Sequence, residues 1–107
     1  MAKRLVADEI LAAIPMIKHG TSDTTFTLTP NKLHVWDEIG SLTVTLNEES
    51  INAANKYIFQ FSSGNTPTQL IYPDSIKWAN GIRPTINANS SYLVKIINNL
   101  GTFTEFK

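Results

Sequence analysis

The sequence predicts a mainly β protein, an antiparallel β-sandwich of jelly-roll type with about eight short strands and a short N-terminal helix or arm. Apolar and polar residues alternate with period two from Thr24 onwards. Turn-forming residues interrupt this alternation about every 8–12 residues, which is the spacing of such folds. The sequence offers no long helix of the kind that crosses between strands in a parallel α/β fold. With 107 residues, we expect an arm or helix over 1–20 and one sandwich domain over 21–107.

The N-terminal segment has helical periodicity. Asp8 and Glu9 lie near its start, where a helix dipole favours acids, and Pro15 would end or kink the helix. The alternative is an apolar arm that lies against another subunit. In either case, the predicted attachment or oligomerisation interface consists of Leu5, Val6, Ile10, Leu11, Ile14 and Ile17.

The alternation predicts strands over 24–29, 32–36, 41–46, 57–61, 70–72, 92–97 and 102–106, with shorter extended pieces over 76–78 and 85–86. In the second strand, Leu33 and Val35 share one face, whereas His34 and Trp36 share the other. Asn80-Gly81 and the corner over 98–101 mark turns where a positive φ has a low cost. We detect no internal repeat and no linker between domains.

Composition excludes several classes of function. Nine basic and nine acidic residues cancel, so the chain has no electrostatic basis for binding nucleic acid or anionic lipid. Charged residues are only 17% of the chain, and weak repulsion between copies favours assembly. The absence of cysteine excludes disulfides and thiolate metal sites. We expect a leaderless, soluble chain, because the apolar N-terminal run is interrupted by acids and is too short to span a bilayer.

Catalytic and metal-binding patterns are missing from the sequence. His19 and His34 lie in different predicted elements without a third ligand in pattern. The pairs Asp37-Glu38 and Glu48-Glu49 are typical of solvated corners. No Gly-x-Ser-x-Gly elbow and no glycine-rich phosphate loop occurs. The sequence therefore predicts a protein that is not an enzyme and that holds no metal and no cofactor.

Three aromatic residues near predicted corners are candidate ligand-binding residues. Trp36, Tyr72 and Trp78 form a possible glycan platform, because sugar-binding sandwiches present exposed flat rings. The competing interpretation places Trp78 in the core or in a subunit interface together with Ile76. The cluster of Tyr57, Phe59 and Phe61 is predicted to lie in the core.

The C-terminal half carries a resemblance to a known module. After Phe59-x-Phe61 and a Ser/Gly/Thr turn, the pattern continues as Leu70 with Pro73, Ile76-x-Trp78, a Gly turn, Pro84-x-Ile86, Asn89-Ser90-x-Tyr92, Val94-x-Ile96 and Asn98-Asn99-Leu100-Gly101. This pattern resembles a short C-terminal β module of tailed-bacteriophage and prophage structural proteins of the head-fibre, decoration and tail-fibre type. The similar part spans roughly residues 42–107.

The resemblance implies a virion protein that is made in the bacterial host cytoplasm, forms homo-oligomers, with a trimer favoured, and contacts other virion proteins or a host-surface glycan. The first hypothesis is therefore a non-enzymatic phage structural protein. The second is a carbohydrate-binding β-sandwich module, and the third is a small hydrolase, which requires a pocket with converging carboxylates or histidines.

Overall fold

The computed structural model of the chain describes residues 14–47 and 55–106, and these residues form a mainly β structure. The described strands are β1 (Met16–His19), β2 (Thr25–Leu28), β3 (Leu33–Glu38), β4 (Ser41–Leu46), β5 (Lys56–Ser62), β6 (Gln69–Ile71), β7 (Lys77–Trp78), β8 (Ser91–Ile97) and β9 (Leu100–Phe106). A 3-10 turn, Ala79–Gly81, follows β7.

The strands form two sheets that the chain visits alternately. Six strands in the order β1-β3-β5-β8-β9-β7 make the larger sheet, and β2-β4-β6 make the smaller one. Up to β6, every odd strand joins the larger sheet and every even strand the smaller one, and all four pairings among these strands are parallel. This is the chain path of a β-solenoid, in which each unit stacks on its neighbours. The first coil is β1 with β2, the second is β3 with β4, and the third is β5 with β6.

The corners of successive coils are hydrogen-bonded to each other. Ile39 N donates to Ser62 O at 3.0 Å, and Gln69 N donates to Gly40 O at 3.0 Å. The buried Thr68 hydroxyl donates to Ile39 O at 2.6 Å. Because buried backbone groups need partners, these bonds allow the chain to turn between the sheets without leaving polar groups unsatisfied.

The parallel stacking ends at β8. This strand pairs antiparallel with β5 over its whole length, and β9 returns antiparallel to β8. The β8–β9 turn contains Asn98 and Asn99 with φ of 54° and 62°, the left-handed conformation that a tight hairpin requires. The predicted corner at 98–101 is confirmed.

One core joins the two sheets. It includes Trp36, Phe59 and Phe61 from the larger sheet, and Leu42 and Val44 from the smaller one. Tyr57 is also buried, so the predicted core cluster of three aromatics in β5 is confirmed. Burial of these large apolar side chains provides the main driving force for folding.

Three predictions about the fold need correction. The predicted antiparallel pairing holds for β5–β8 and β8–β9 but is wrong for the other five pairings, which are parallel. The part of the predicted N-terminal helix that the structure describes is not helical, because Ile14 and Pro15 have no regular structure and Met16–His19 is a strand. The piece over 85–86 is not a strand.

Candidate functional site

The two histidines of the chain meet inside the first two coils. His34 lies on β3, on the same face as Trp36 as predicted, and is fully buried. His19 ends β1, and the parallel register places it beside Trp36. His19 stacks on Trp36 with ring centroids 4.3 Å apart and contacts Phe26 at 4.3 Å. The β1–β3 pairing therefore brings both imidazoles to one place.

A hydrogen bond joins the two imidazoles. His19 Nε2 lies 3.0 Å from His34 Nδ1, so one of these nitrogens carries the hydrogen and the other accepts it. The remaining nitrogen of His34, Nε2, lies 3.2 Å from both the carbonyl oxygen and the hydroxyl of Thr29. Both nitrogens of the buried imidazole thus have protein partners, which avoids the cost of an unsatisfied buried polar atom.

Asp23 faces the other side of His19. Its Oδ2 lies 3.9 Å from His19 Nδ1 and accepts from Gly20 N at 3.3 Å. The backbone carbonyl of Asp23 accepts from Trp36 Nε1 at 3.0 Å. The β1–β2 turn is therefore bound to the side chains of the second coil, and this contact holds the carboxylate near the imidazole pair.

Burial lowers the pKa of both histidines. Removal from water disfavours the charged imidazole of His19 and outweighs the nearby Asp23, which raises its pKa. Burial is also the main cause of the lowered pKa of His34; the Thr29 carbonyl raises this pKa, whereas the positive charges of His19 and Lys32 lower it. The pair is a neutral, hydrogen-bonded unit at neutral pH.

The chemistry available to this cluster is proton binding. Within residues 14–47 and 55–106, no group of three His, Cys, Asp or Glu side chains is placed to hold a metal ion. The side chain of His19 is only 6% exposed, which leaves little surface for a substrate. A proton is small enough to reach such a site.

The sequence did not predict this pair, although it contains a signal for it. Two tetrapeptides, TFTL of β2 and TVTL of β4, occupy matching positions in neighbouring coils and pair residue by residue. This short repeat contradicts the expectation of no internal repeat. The number of residues from the start of one tetrapeptide to the start of the other is the length of one coil. Applied to the preceding strands, this length would have placed β1 beside β3 and hence His19 near His34.

The predicted glycan platform is not a surface feature at its two tryptophans. Trp36 is 1% exposed and Trp78 is 7% exposed, so the expectation of exposed rings is wrong for both. Trp78 packs in the core beside Ile76, as the competing interpretation held. Tyr72 is half-buried and contacts the Trp78 ring edge to face at 5.0 Å. A buried ring stabilises the core and has no free face for a sugar.

The predicted interface residues lie mostly outside the described part of the chain. Leu5, Val6, Ile10 and Leu11 precede residue 14, and the structure describes only Ile14 and Ile17. Both of these side chains are half-buried; Ile17 lies in β1, and Ile14 precedes this strand by two residues. The interface role of these residues stays a prediction.

A surface groove lies beside β9 and the 3-10 turn. It has a volume of about 330 Å³ and is lined by Asn80, Ile82, Thr102 and Phe103, among others. Ile82 is 59% exposed. The groove therefore combines an aromatic ring with an amide and a hydroxyl near the surface.

Comparison with known proteins identifies no relative. No protein-family model, no curated protein and no solved structure matches the chain. In the parts that the structure describes, there is no helix with the length and hydropathy needed to cross a bilayer.

Proposed function

We propose that the chain is a non-enzymatic structural protein of a phage particle, of head-fibre, decoration or tail-fibre type, that assembles with copies of itself and contacts other virion proteins. Its frame is two β-sheets packed on one core, with a sandwich-like cross-section. The proposal rests on the resemblance over residues 42–107 and on one feature of the fold, the edge strands of the first coil at one end of both sheets.

The carrying observation is the pair of edge strands in the first coil. β1 and β2 begin the two parallel stacks, and among the described residues each pairs with one strand only. Unpaired strand edges are templates for pairing with another chain, and terminal units of solenoids need a cover to stay soluble. At the other end of the larger sheet, the β8–β9 hairpin closes the parallel stack. The edge strands at the other end, β6 and β7, also have one partner each in the described part of the chain but are only three and two residues long, whereas β1 and β2 have four residues each. Because very short edge strands are poor templates for pairing, the first coil is the end that favours association.

Net charge supports the same proposal. The chain is neutral overall, with nine residues of each sign. Long-range repulsion between copies is therefore weak, and contact at a strand edge meets little electrostatic opposition. The resemblance favours a trimer, formation in the bacterial host cytoplasm and a final location in the virion.

Light scattering on the purified full chain tests the assembly. Met16 on β1 and Ile82 beyond the 3-10 turn are matched in exposure, at 60% and 59%. Charged residues, especially lysine, block pairing at strand edges, so Met16→Lys should lower the measured mass towards a monomer, whereas Ile82→Lys should leave it unchanged. A wild-type chain that is monomeric at micromolar concentration contradicts the proposal, as does a Met16→Lys variant with unchanged mass.

The genomic neighbourhood tests the virion role separately. Neighbouring capsid and tail genes support a virion component, whereas neighbouring polysaccharide-utilisation genes favour the alternative function. This observation does not depend on whether the first coil is the assembly surface.

The alternative proposal, a carbohydrate-binding module, is favoured by the groove beside β9. Half-buried Phe103 and the Asn80 amide are the side-chain types that bind sugars by stacking and hydrogen bonding. Because Asn80 has φ of 59°, Asn80→Gly removes the amide while the backbone keeps its conformation. A glycan that binds the wild type on an array should bind this variant more weakly. A blank array, or equal binding by both proteins, contradicts the alternative.

A further inference from the structure

We propose that the His19–His34 contact is an acid-sensitive clasp that holds β1 on β3 and releases β1 when both imidazoles are protonated. This inference concerns a conformational change in the first coil. It stands independently of the virion role, because it uses only contacts within one chain.

The hydrogen bond between the rings has room for one proton only. His19 Nε2 and His34 Nδ1 lie 3.0 Å apart, so the bond needs a hydrogen on one nitrogen and a lone pair on the other. When both rings are charged, both nitrogens carry hydrogens and the bond is lost. The two charged rings, with centroids 5.2 Å apart, then repel each other in a buried site.

The surroundings offer limited compensation for a second positive charge. Asp23, on the β1–β2 turn, is 51% exposed and lies 3.9 Å from His19. Lys32, just before β3, adds a positive charge that disfavours a charged His34. The other rings around the pair, Phe26 of β2, Trp36 of β3 and Phe59 in register with His34 on β5, carry no charge.

The strand that carries His19 is the one best placed to move. β1 has four residues, and β3 is its only strand partner within the described chain. Besides the strand pairing, Leu33 N donates to Pro15 O at 2.9 Å, and this hydrogen bond joins the residue before β1 to the start of β3. A short edge strand with one partner opens more readily than the central strands of a sheet. Loss of the imidazole contact therefore acts on β1 first and leaves β8 and β9, which contain no histidine, unchanged.

Hydrogen exchange on the full-length chain, corrected for the intrinsic effect of pH, tests the proposal. Between pH 7.5 and the acid limit of the folded state, we expect amide protection in β1 to fall at least about tenfold further than protection in β8 and β9, which should fall only with the global stability. Nitrogen chemical shifts of the imidazoles, recorded on the same wild-type protein, show when both rings carry a charge. The loss of protection should follow the second protonation.

Two variants separate the clasp from a general structural role. His19→Phe keeps a ring against Trp36 but cannot titrate, so acid should no longer lower protection in β1 more than protection in β8 and β9. Asp23→Asn keeps an oxygen that can accept from Gly20 N but removes the charge that favours protonation of His19. Its release midpoint should therefore move to lower pH. A merely structural Asp23 would instead leave the midpoint unchanged and loosen β1 equally at every pH.

Three results overturn the proposal. The first is constant β1 protection while both imidazoles become charged. The second is an imidazole pair that never takes two protons before the whole chain unfolds. The third is a His19→Phe variant that folds and retains the full acid effect. If that variant fails to fold, the wild-type exchange and the imidazole shifts still decide.

Discussion

Gly101 lies at a point where β9 passes directly over the indole of Trp78. A Cβ added at this position would lie 2.6 Å from Trp78 Cζ3 and 3.0 Å from Ile76 Cγ2. The indole is buried and also packs against Tyr72 and Phe103. It therefore cannot move aside without disturbing the core, so the absence of a side chain at Gly101 is a packing requirement.

We predict that Gly101→Ala lowers the free energy of unfolding by about 1–3 kcal/mol, the usual cost of forcing an extra carbon into a packed core. Gly40→Ala is the matched control, because a Cβ there meets nothing within 4 Å. The control should stay within about 0.5 kcal/mol of the wild type. Urea denaturation of the three proteins measures both values, and equal stability of the two variants would show that the indole does not restrict this position.

Side-chain chemistry at single positions was predictable only in part. The alternation placed His34 and Trp36 on one face of β3, and the structure confirms this. The exposure of Trp36 was not predictable, because proximity to a corner in sequence does not determine whether a second sheet covers the ring. The partner of His34 was hidden for a related reason, since His19 reaches it only through pairing between coils.

The β8–β9 hairpin depends on two consecutive asparagines in the left-handed conformation, Asn98 and Asn99. Asparagine tolerates a positive φ better than other residues with a side chain, and glycine tolerates it best. This turn sets the register between β8 and β9, which have seven residues each. A substitution here changes the stability of the whole β8–β9 hairpin.

We predict that Asn99→Ala destabilises the fold by about 1 kcal/mol, because alanine has a steric cost in this region. Asn99→Gly should be neutral within about 0.5 kcal/mol, since glycine adopts a positive φ freely. Thermal unfolding followed by circular dichroism compares the two variants. A loss as large for glycine as for alanine would indicate that the Asn99 side chain, rather than its backbone conformation, supports the turn.

Strand positions were easier to predict than strand partners. The prediction for β4 matches the observed Ser41–Leu46, because the alternation of aliphatic residues with serine and threonine marks its buried face. β1 was not predicted as a strand, because Ile10, Ile14 and Ile17 also fit helical spacing and residues 1–20 were therefore predicted to be a helix or an arm. Period-two alternation indicates a half-buried strand but carries no information on the direction of its neighbours, so a fold that was predicted to be antiparallel contains five parallel pairings.

At the scale of the whole molecule, stability depends on pH through the two histidines. Their pKa values in the folded chain lie below the ordinary value of 6.5. Below pH 6.5 the unfolded chain therefore binds more protons than the folded chain, and acidification favours unfolding. Their contribution to stability is complete above pH 6.5 and is lost as the pH falls through the lowered folded values.

We predict that the free energy of unfolding of the wild type decreases between pH 7.5 and 5.5, measured by urea denaturation at each pH. His19→Phe should show a smaller decrease over the same range, because only His34 then titrates in it. A variant with the same decrease as the wild type would assign the pH dependence to other groups.

The matching tetrapeptides of β2 and β4 have a consequence for chain length. Thr27 Oγ1 and Thr45 Oγ1 form a hydrogen bond of 2.8 Å. Side chains of the same type at matching positions therefore join one coil to the next. Each coil contacts mainly its two neighbours. Duplicating the segment from β3 to β4 should therefore extend the protein by one coil, about 4.8 Å, while the β8–β9 hairpin remains intact. The length of the protein along the stack can therefore be changed in steps of one coil.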